Sequence, residues 1–166
     1  KLESYKQIFI INIGNTINID LYKKYNNVII INLSSNAHLY ELKTINLIYY
    51  FSLVNPNSRV LYIHTKGILR EDNKKIQQWV NMMLYFLVKR QDSCIKYLQD
   101  YDAVGCNYIV SKDIKPHFSG NFWWANTNYI QTLETIKTKP RHDAEWWILT
   151  NPRHRFKCIH HSMVNH

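Results

Sequence analysis

The chain has no apolar run approaching the roughly 20 residues of a membrane-spanning helix, so no transmembrane segment is expected. It has no G-x-G-x-x-G and no G-x-x-x-x-G-K-[ST] segment, and dinucleotide and P-loop readings lose support. Its three cysteines, Cys94, Cys106 and Cys158, form no C-x-x-C pattern, and an odd number cannot pair fully. Buried thiols in a reducing compartment are the simple reading, and a cytoplasmic location is expected. There is no repeat, no low-complexity tract and no clear linker, so residues 1–166 read as one domain. Lys1 is not an initiator methionine and no signal peptide is legible, so the expectation is a chain that begins inside a longer protein. Glycine and alanine are scarce while Ile, Asn, Lys and Tyr abound, a bias that often follows an AT-rich genome.

What is present suffices for a core. A chain of 166 residues buries roughly two-thirds of its unfolded surface. With 46% hydrophobic residues it is not expected to be disordered. Lys and Arg number 21 against 12 Asp and Glu, a net charge of +9. Such a balance suits phosphate-bearing partners: nucleic acid, nucleotide sugars or anionic membranes. Much of it sits late, at Lys137, Lys139, Arg141, Arg153, Arg155 and Lys157, where a solvated basic face is an equal account.

Apolar, β-branched runs predict strands at 7–13, 28–33, 59–64 and 102–109, with a strand or a tight loop leading into one at 118–125, and a last strand at 155–160. Helical spacing predicts helices from Leu39 to Val54, stopped by Asn55-Pro56-Asn57, and from Ile76 through Leu87 towards Leu98. Asn128 to Ile136 and Asp143 to Leu149 also read as helical. Strands alternating with helices imply an α/β fold, with a mainly parallel central sheet flanked by helices. Ligands then bind beyond the carboxyl ends of the strands.

Four segments could carry chemistry. YIHTKG (Tyr62 to Gly67) ends a strand in His64, Thr65 and Lys66, and Gly67 allows a sharp turn. Lys and His there could meet a diphosphate as charge-assisted donors, or be a solvated turn. In HFSGNFWWAN (His117 to Asn126), Ser119 and Asn121 supply hydrogen bonds, Gly120 admits a close approach, and Trp123 and Trp124 offer flat faces. Since Trp is usually buried, one ring in the core and one at the site is expected. In RHDAEWWIL (Arg141 to Leu149), a carboxylate beside bulky rings suits a general base. Asp143 fits a helix start equally well, so Glu145 is the sharper catalytic candidate. His160, His161 and His166 could bind metal with Asp143 or Glu145, but no matching ligand pattern appears, and structural or surface histidines are the better account. Asp100-Tyr101-Asp102 is a literal D-x-D placed before a strand, on the wrong edge of a parallel sheet, and is discounted.

The order YIHTKG, Trp79, YDAVGCNY, HFSGNFWWA and DAEWWIL resembles small glycosyltransferase-like proteins of bacterial surface-polysaccharide loci and giant DNA viruses. More distantly it is similar to rhamnan-synthesis-type proteins. The resemblance covers about residues 39–150. It implies a GT-A-like fold, lacking its first nucleotide-binding strand, that takes a nucleotide diphosphate sugar and a glycan or protein acceptor. It implies His64, Thr65 and Lys66 at the donor diphosphate, with Gly67 as their turn. Ser119, Gly120, Asn121 and Trp123 would line the sugar or acceptor pocket, and Asp143 and Glu145 would be the acidic pair that activates the acceptor. The usual D-x-D after the strand is replaced by HTK, which leaves dependence on a divalent ion, Mn or Mg, open. A viral member would work in the host cytoplasm or the virion. Three functions follow: sugar transfer from a nucleotide donor; nucleic-acid binding or nuclease activity on the basic surface; and a catalytically inactive glycosyltransferase-like scaffold. Nucleic-acid motifs are missing and the charge is diffuse, so that partner ranks second. The site is expected to gather His64, Lys66, Gly120, Trp123 and Glu145 around one cleft.

Overall fold

A computed structural model describes residues 4–14, 17–36, 41–65, 73–137 and 142–162. The first apolar runs form β1 (Ile8–Ile13) and β2 (Val28–Ser34), which pair in parallel from Ile8↔Val28 onward. The helix α1 (Leu42–Val54) follows and buries Ile45 and Ser52. It stops where Asn55 turns its amide back onto the Phe51 carbonyl and Asn57 takes a left-handed φ of 58°.

β3 (Arg59–Tyr62) leads towards the long amphipathic stretch. There α2 (Lys74–Leu84) is capped by Asn73, whose side chain accepts from the amides of Lys75 and Ile76. It buries Trp79 and Met83, one turn apart on one face. A wider π turn at Tyr85–Lys89 then carries Leu87 inward before α3 (Gln91–Tyr97) buries Cys94. The predicted single helix towards Leu98 is thus two α-segments joined by a π turn.

β4 (Ala103–Cys106) is buried along its whole length. At Gly105 a Cβ would run into the Phe118 ring, so only glycine allows this approach. A short hairpin of β5 (Tyr108–Ile109) and β6 (His117–Phe118) turns the chain back into β7 (Trp123–Asn126). One helical turn, α4 (Thr127–Ile130), follows in place of the longer helix expected to Ile136. The last elements are α5 (Asp143–Trp146), a 3₁₀ turn at Trp147–Leu149 and β8 (Phe156–His160).

The main sheet has the order β3-β7-β4-β8. β7 is antiparallel to both β3 and β4, and β8 is parallel to β4. The protein is therefore α/β, but this sheet is mixed rather than mainly parallel. The reason is the link between β4 and β7. A parallel return needs a crossover of a dozen or more residues, usually helical. Here a two-residue-per-strand hairpin fills the link, and β7 comes back reversed. β3, β4 and β8 still point the same way, so their carboxyl ends share one edge.

Both faces of the sheet are covered. One carries Ile45, Tyr62, Phe118, Trp123, Ile130, Trp147 and Ile148. The other carries Trp79, Met83, Leu87, Cys94, Val104, Phe122 and Trp124. Adjacent residues of a strand face opposite sides, so Trp123 and Trp124 enter different cores. No described helix is long and apolar enough to cross a membrane.

Candidate functional site

The shared carboxyl edge of β3, β4 and β8 gathers the polar side chains of interest. Tyr62 ends β3 buried, and His64 lies two residues on. The 119–121 turn lies beside it, just before β7. Glu41, the residue before α1, completes the group.

The Glu41 carboxylate is the hub. Its Oε2 accepts from Asn121 Nδ2 at 2.6 Å and from the Tyr62 hydroxyl at 3.1 Å. Its Oε1 lies 3.2 Å from His64 Nδ1. The other ring nitrogen, Nε2, is 3.0 Å from the Gly120 carbonyl. Asn121 also donates to the Ala144 carbonyl at 3.3 Å and accepts from Trp123 Nε1 at 3.0 Å. One network thus ties α1, β3, the 119–121 turn, β7 and α5. Burial, followed by the charge and hydrogen bond of Glu41, pushes the Tyr62 hydroxyl well above its ordinary value. Tyr62 is therefore a donor here, never a phenolate.

The turn that presents Gly120 and Asn121 is unusual backbone. Gly120 has φ +96° and Asn121 φ +55°, both left-handed. Asn tolerates this region better than most residues. Asn107, at the end of β4, is also left-handed, and braces the turn: its carbonyl accepts from Ser119 N at 2.9 Å and its side chain from Ser162 N at 2.7 Å.

The predicted residues fall into three groups. His64 meets Gly120 directly and Asn121 through Glu41, and Trp123 joins them through its indole N–H. Ser119 flanks the turn half-buried, and Thr65 is exposed just beyond His64. Lys66 and Gly67 lie outside the described residues. Asp143 and Glu145 are half-buried on α5, on either side of Ala144, whose carbonyl Asn121 holds. Glu145 lies 3.8 Å from His142 Nδ1, on a histidine that is largely exposed.

Two expectations are corrected. Trp123 is fully buried, tilted against Tyr62 at 5.1 Å and Trp147 at 6.2 Å, and offers no face to a sugar. Trp124 is also core: it bonds the Leu87 carbonyl and stacks on Tyr5. Because helices cover both faces of the sheet, neither indole is left for a site. Gly120 is not open to a ligand on its Cβ side, where a Cβ would sit 2.5 Å from Met83 Sδ. Its bare carbonyl is the part that the network uses.

Glu41 is the residue that the sequence reading did not single out. Its only signal was isolation: no other acid occurs between Asp20 and Glu71.

Elsewhere, Asp102 of the D-x-D accepts from the Arg155 amide at 2.7 Å, a structural role at the amino end of β4. An open depression at that end is lined by Asn57, Arg59, Asp102, Asn126 and Asn128. It lies on the opposite edge of the sheet from the Glu41 network. Its amides are also committed, Asn57 and Asn128 to each other and Asn126 to the Leu98 and Tyr101 carbonyls. His160 stacks on Phe86 at 4.4 Å, and His166 lies outside the described residues. Among the described residues no group of three or more His, Cys, Asp or Glu is placed to hold a metal ion.

No curated protein and no solved structure matches the chain. A family model matches residues 1–142, a span that contains Glu41, Tyr62, His64 and Asn121 and stops short of Asp143 and Glu145. The chain therefore belongs to the family described as Domain of unknown function (DUF8361).

Proposed function

We propose that this protein is a glycosyltransferase-like protein that binds a nucleotide diphosphate sugar at the carboxyl edge of β3, β4 and β8. The observation that carries the reading is the convergence of His64, Gly120, Asn121 and the Ala144 carbonyl at that edge, from segments far apart in sequence. In open α/β sheets this is where ligands bind. The net charge of +9 suits a diphosphate.

The roles follow from position. Thr65 and Lys66 follow His64 directly and would meet the donor diphosphate, with Gly67 turning the chain. His64 has both ring nitrogens engaged by the protein, so it acts by shaping this strand end rather than by reaching outward. Glu145 would accept the proton of the acceptor hydroxyl as that oxygen bonds to the sugar carbon and the nucleoside diphosphate departs. Asn121 fixes α5 beside Glu145 through Ala144.

A thermal-shift screen with UDP, GDP, CDP, TDP and single-stranded DNA tests this. A ligand at 100 times its Kd stabilises the folded state by about 2.7 kcal/mol. Selective stabilisation by one nucleotide is expected. Stabilisation by DNA alone, vanishing with salt, would point to nucleic acid instead.

One observation favours a second reading, the inactive scaffold. Tyr62, His64, Asn121 and Trp123 all find partners within the protein, so the network is closed on itself. No stabilisation by any nucleotide, together with no donor hydrolysis, would favour that reading.

A further inference from the structure

The His64 ring lies between two acceptors. Nε2 is 3.0 Å from the Gly120 carbonyl, which cannot donate, so Nε2 carries a proton. Nδ1 is 3.2 Å from Glu41 Oε1. Were Nδ1 bare, its lone pair would face a carboxylate oxygen. A carboxyl proton on Oε1 would also fill the gap, but imidazole is the stronger base by about two units, and the two donors on Oε2, Asn121 and Tyr62, favour the ionised carboxylate. The arrangement is satisfied when both ring nitrogens carry protons.

We propose that Glu41 is the positioning residue of this site: its carboxylate holds His64 as a doubly protonated imidazolium, fixed against the Gly120 carbonyl at the carboxyl end of β3. Among the described residues, the titratable and charged groups on the elements packed here are Glu41 before α1, Lys43, Tyr49 and Tyr50 on α1, Arg59 and Tyr62 on β3, and His142, Asp143 and Glu145 at α5. Tyr62 is kept neutral by burial and by Glu41, and its ring stacks on His64 at 5.9 Å. Phe122 closes the ring's edge at 5.2 Å. His142 and Glu145 lie next to each other. Among the described residues, the carboxylate that lies against the His64 ring is Glu41, and both side chains are mostly shielded, at 17% and 23% exposure.

The use of this charge in donor binding rests on the nucleotide-sugar reading; the charge state itself does not. A cation held just before Thr65 would favour an incoming diphosphate.

The substitution Glu41→Gln separates the effects. Asn121 and Tyr62 are both donors, so the glutamine carbonyl must face them and its NH2 must face Nδ1. His64 then accepts at Nδ1 and keeps one proton, on Nε2. The experiment is ring ¹⁵N–¹H NMR of the full chain at about pH 7.5, roughly one unit above the ordinary histidine value, where a free ring is about nine-tenths neutral. His64→Gln identifies the signal among the eight histidines. The wild type is expected to show both His64 nitrogens protonated, and Glu41→Gln only Nε2. A singly protonated His64 in the wild type overturns the proposal, and that measurement needs no variant to fold. A doubly protonated His64 in a folded Glu41→Gln protein overturns it as well. UDP, GDP, CDP and TDP are titrated in parallel. If the ring behaves as expected and none of them binds, the nucleotide reading falls while the role of Glu41 stands.

Discussion

The side-chain amide of Asn121 donates a 2.6 Å hydrogen bond to the carboxylate of Glu41, 80 positions earlier in the chain. Asn121 is fully buried and left-handed, so its amide has no alternative partner in water. Asn121→Asp places a second carboxylate against Glu41 and removes the donor to Ala144. The loss is expected to be about 2–4 kcal/mol at neutral pH, from a broken buried bond and like-charge contact. Lowering the pH until one of the two carboxylates is protonated should recover part of it. Melting temperatures at two pH values check this, and an unchanged melting point at neutral pH would remove Asn121 from the centre of the network.

Gly120→Ala should destabilise for two reasons. The residue holds φ +96°, and its Cβ would meet Met83 Sδ at 2.5 Å and Cε at 2.9 Å. A cost of about 1–3 kcal/mol is expected from strain and overpacking. Met83 is fully buried, so Met83→Ala alone opens a cavity. In the double variant the clash is relieved, and the total should be less than the sum of the two single effects. Additive denaturation energies would show that φ, not contact with Met83, explains the glycine.

Glu145 and Asp143 separate by assay rather than by stability. Glu145→Gln should lower sugar transfer or donor hydrolysis by about 10²–10⁴-fold, the usual loss of a general base. It should leave the melting temperature nearly unchanged, since the nearby His142 is 64% exposed at 3.8 Å, and such contacts stabilise by about 0–1 kcal/mol. Asp143, in the first turn of α5, should lose up to about 1 kcal/mol as Asn and keep its activity. The reverse pattern exchanges the roles. Full activity in both variants would discard this acidic pair.

Thiol labelling reports the core. Burial pushes the Cys94 thiol up to about 11, and burial, with the neighbouring thiols, raises Cys106 further. The thiolate is the reactive form. At about pH 8 the folded protein should therefore label quickly only at half-buried Cys158, and all three cysteines should label in denaturant. The same shifts set an alkaline limit. A thiol or phenol raised in the folded state contributes no penalty below its unfolded value. Its stability is lost as pH climbs from about 8.5, the free thiol value, towards the folded one. Tyr62, Tyr129 and Tyr5, all raised first by burial, act in the same direction at higher pH. The contribution of these thiols and phenols should be flat to about pH 8 and fall above it. A melting temperature that rises above pH 9 would contradict this account.

The local elements were legible because their causes are local. Continuous β-branched runs became β1 and β2, Asn55-Pro56-Asn57 ended α1, and Ile76, Trp79, Val80 and Met83 made one face of α2. The carboxyl end of β3, with His64, was likewise visible as an apolar run stopping at polar residues. His64 and Gly120 were expected to meet as two segments that each follow a parallel strand; they do meet, but Gly120 precedes β7 and reaches that edge because β7 runs reversed.

What tertiary structure alone decided has non-local causes. The direction of β7 depends on the β5–β6 hairpin, whose two-residue strands carry almost no periodic signal. The burial of both Trp123 and Trp124 depends on α2 covering one face of the sheet while α1, α4 and α5 cover the other. Glu41 looks like an ordinary acid at a helix start until α1 docks on β3. Only then do three donors, from Tyr62, His64 and Asn121, find one carboxylate. Residue order specified the donors and the strand ends; the packing of helices on a mixed sheet chose the acceptor they share.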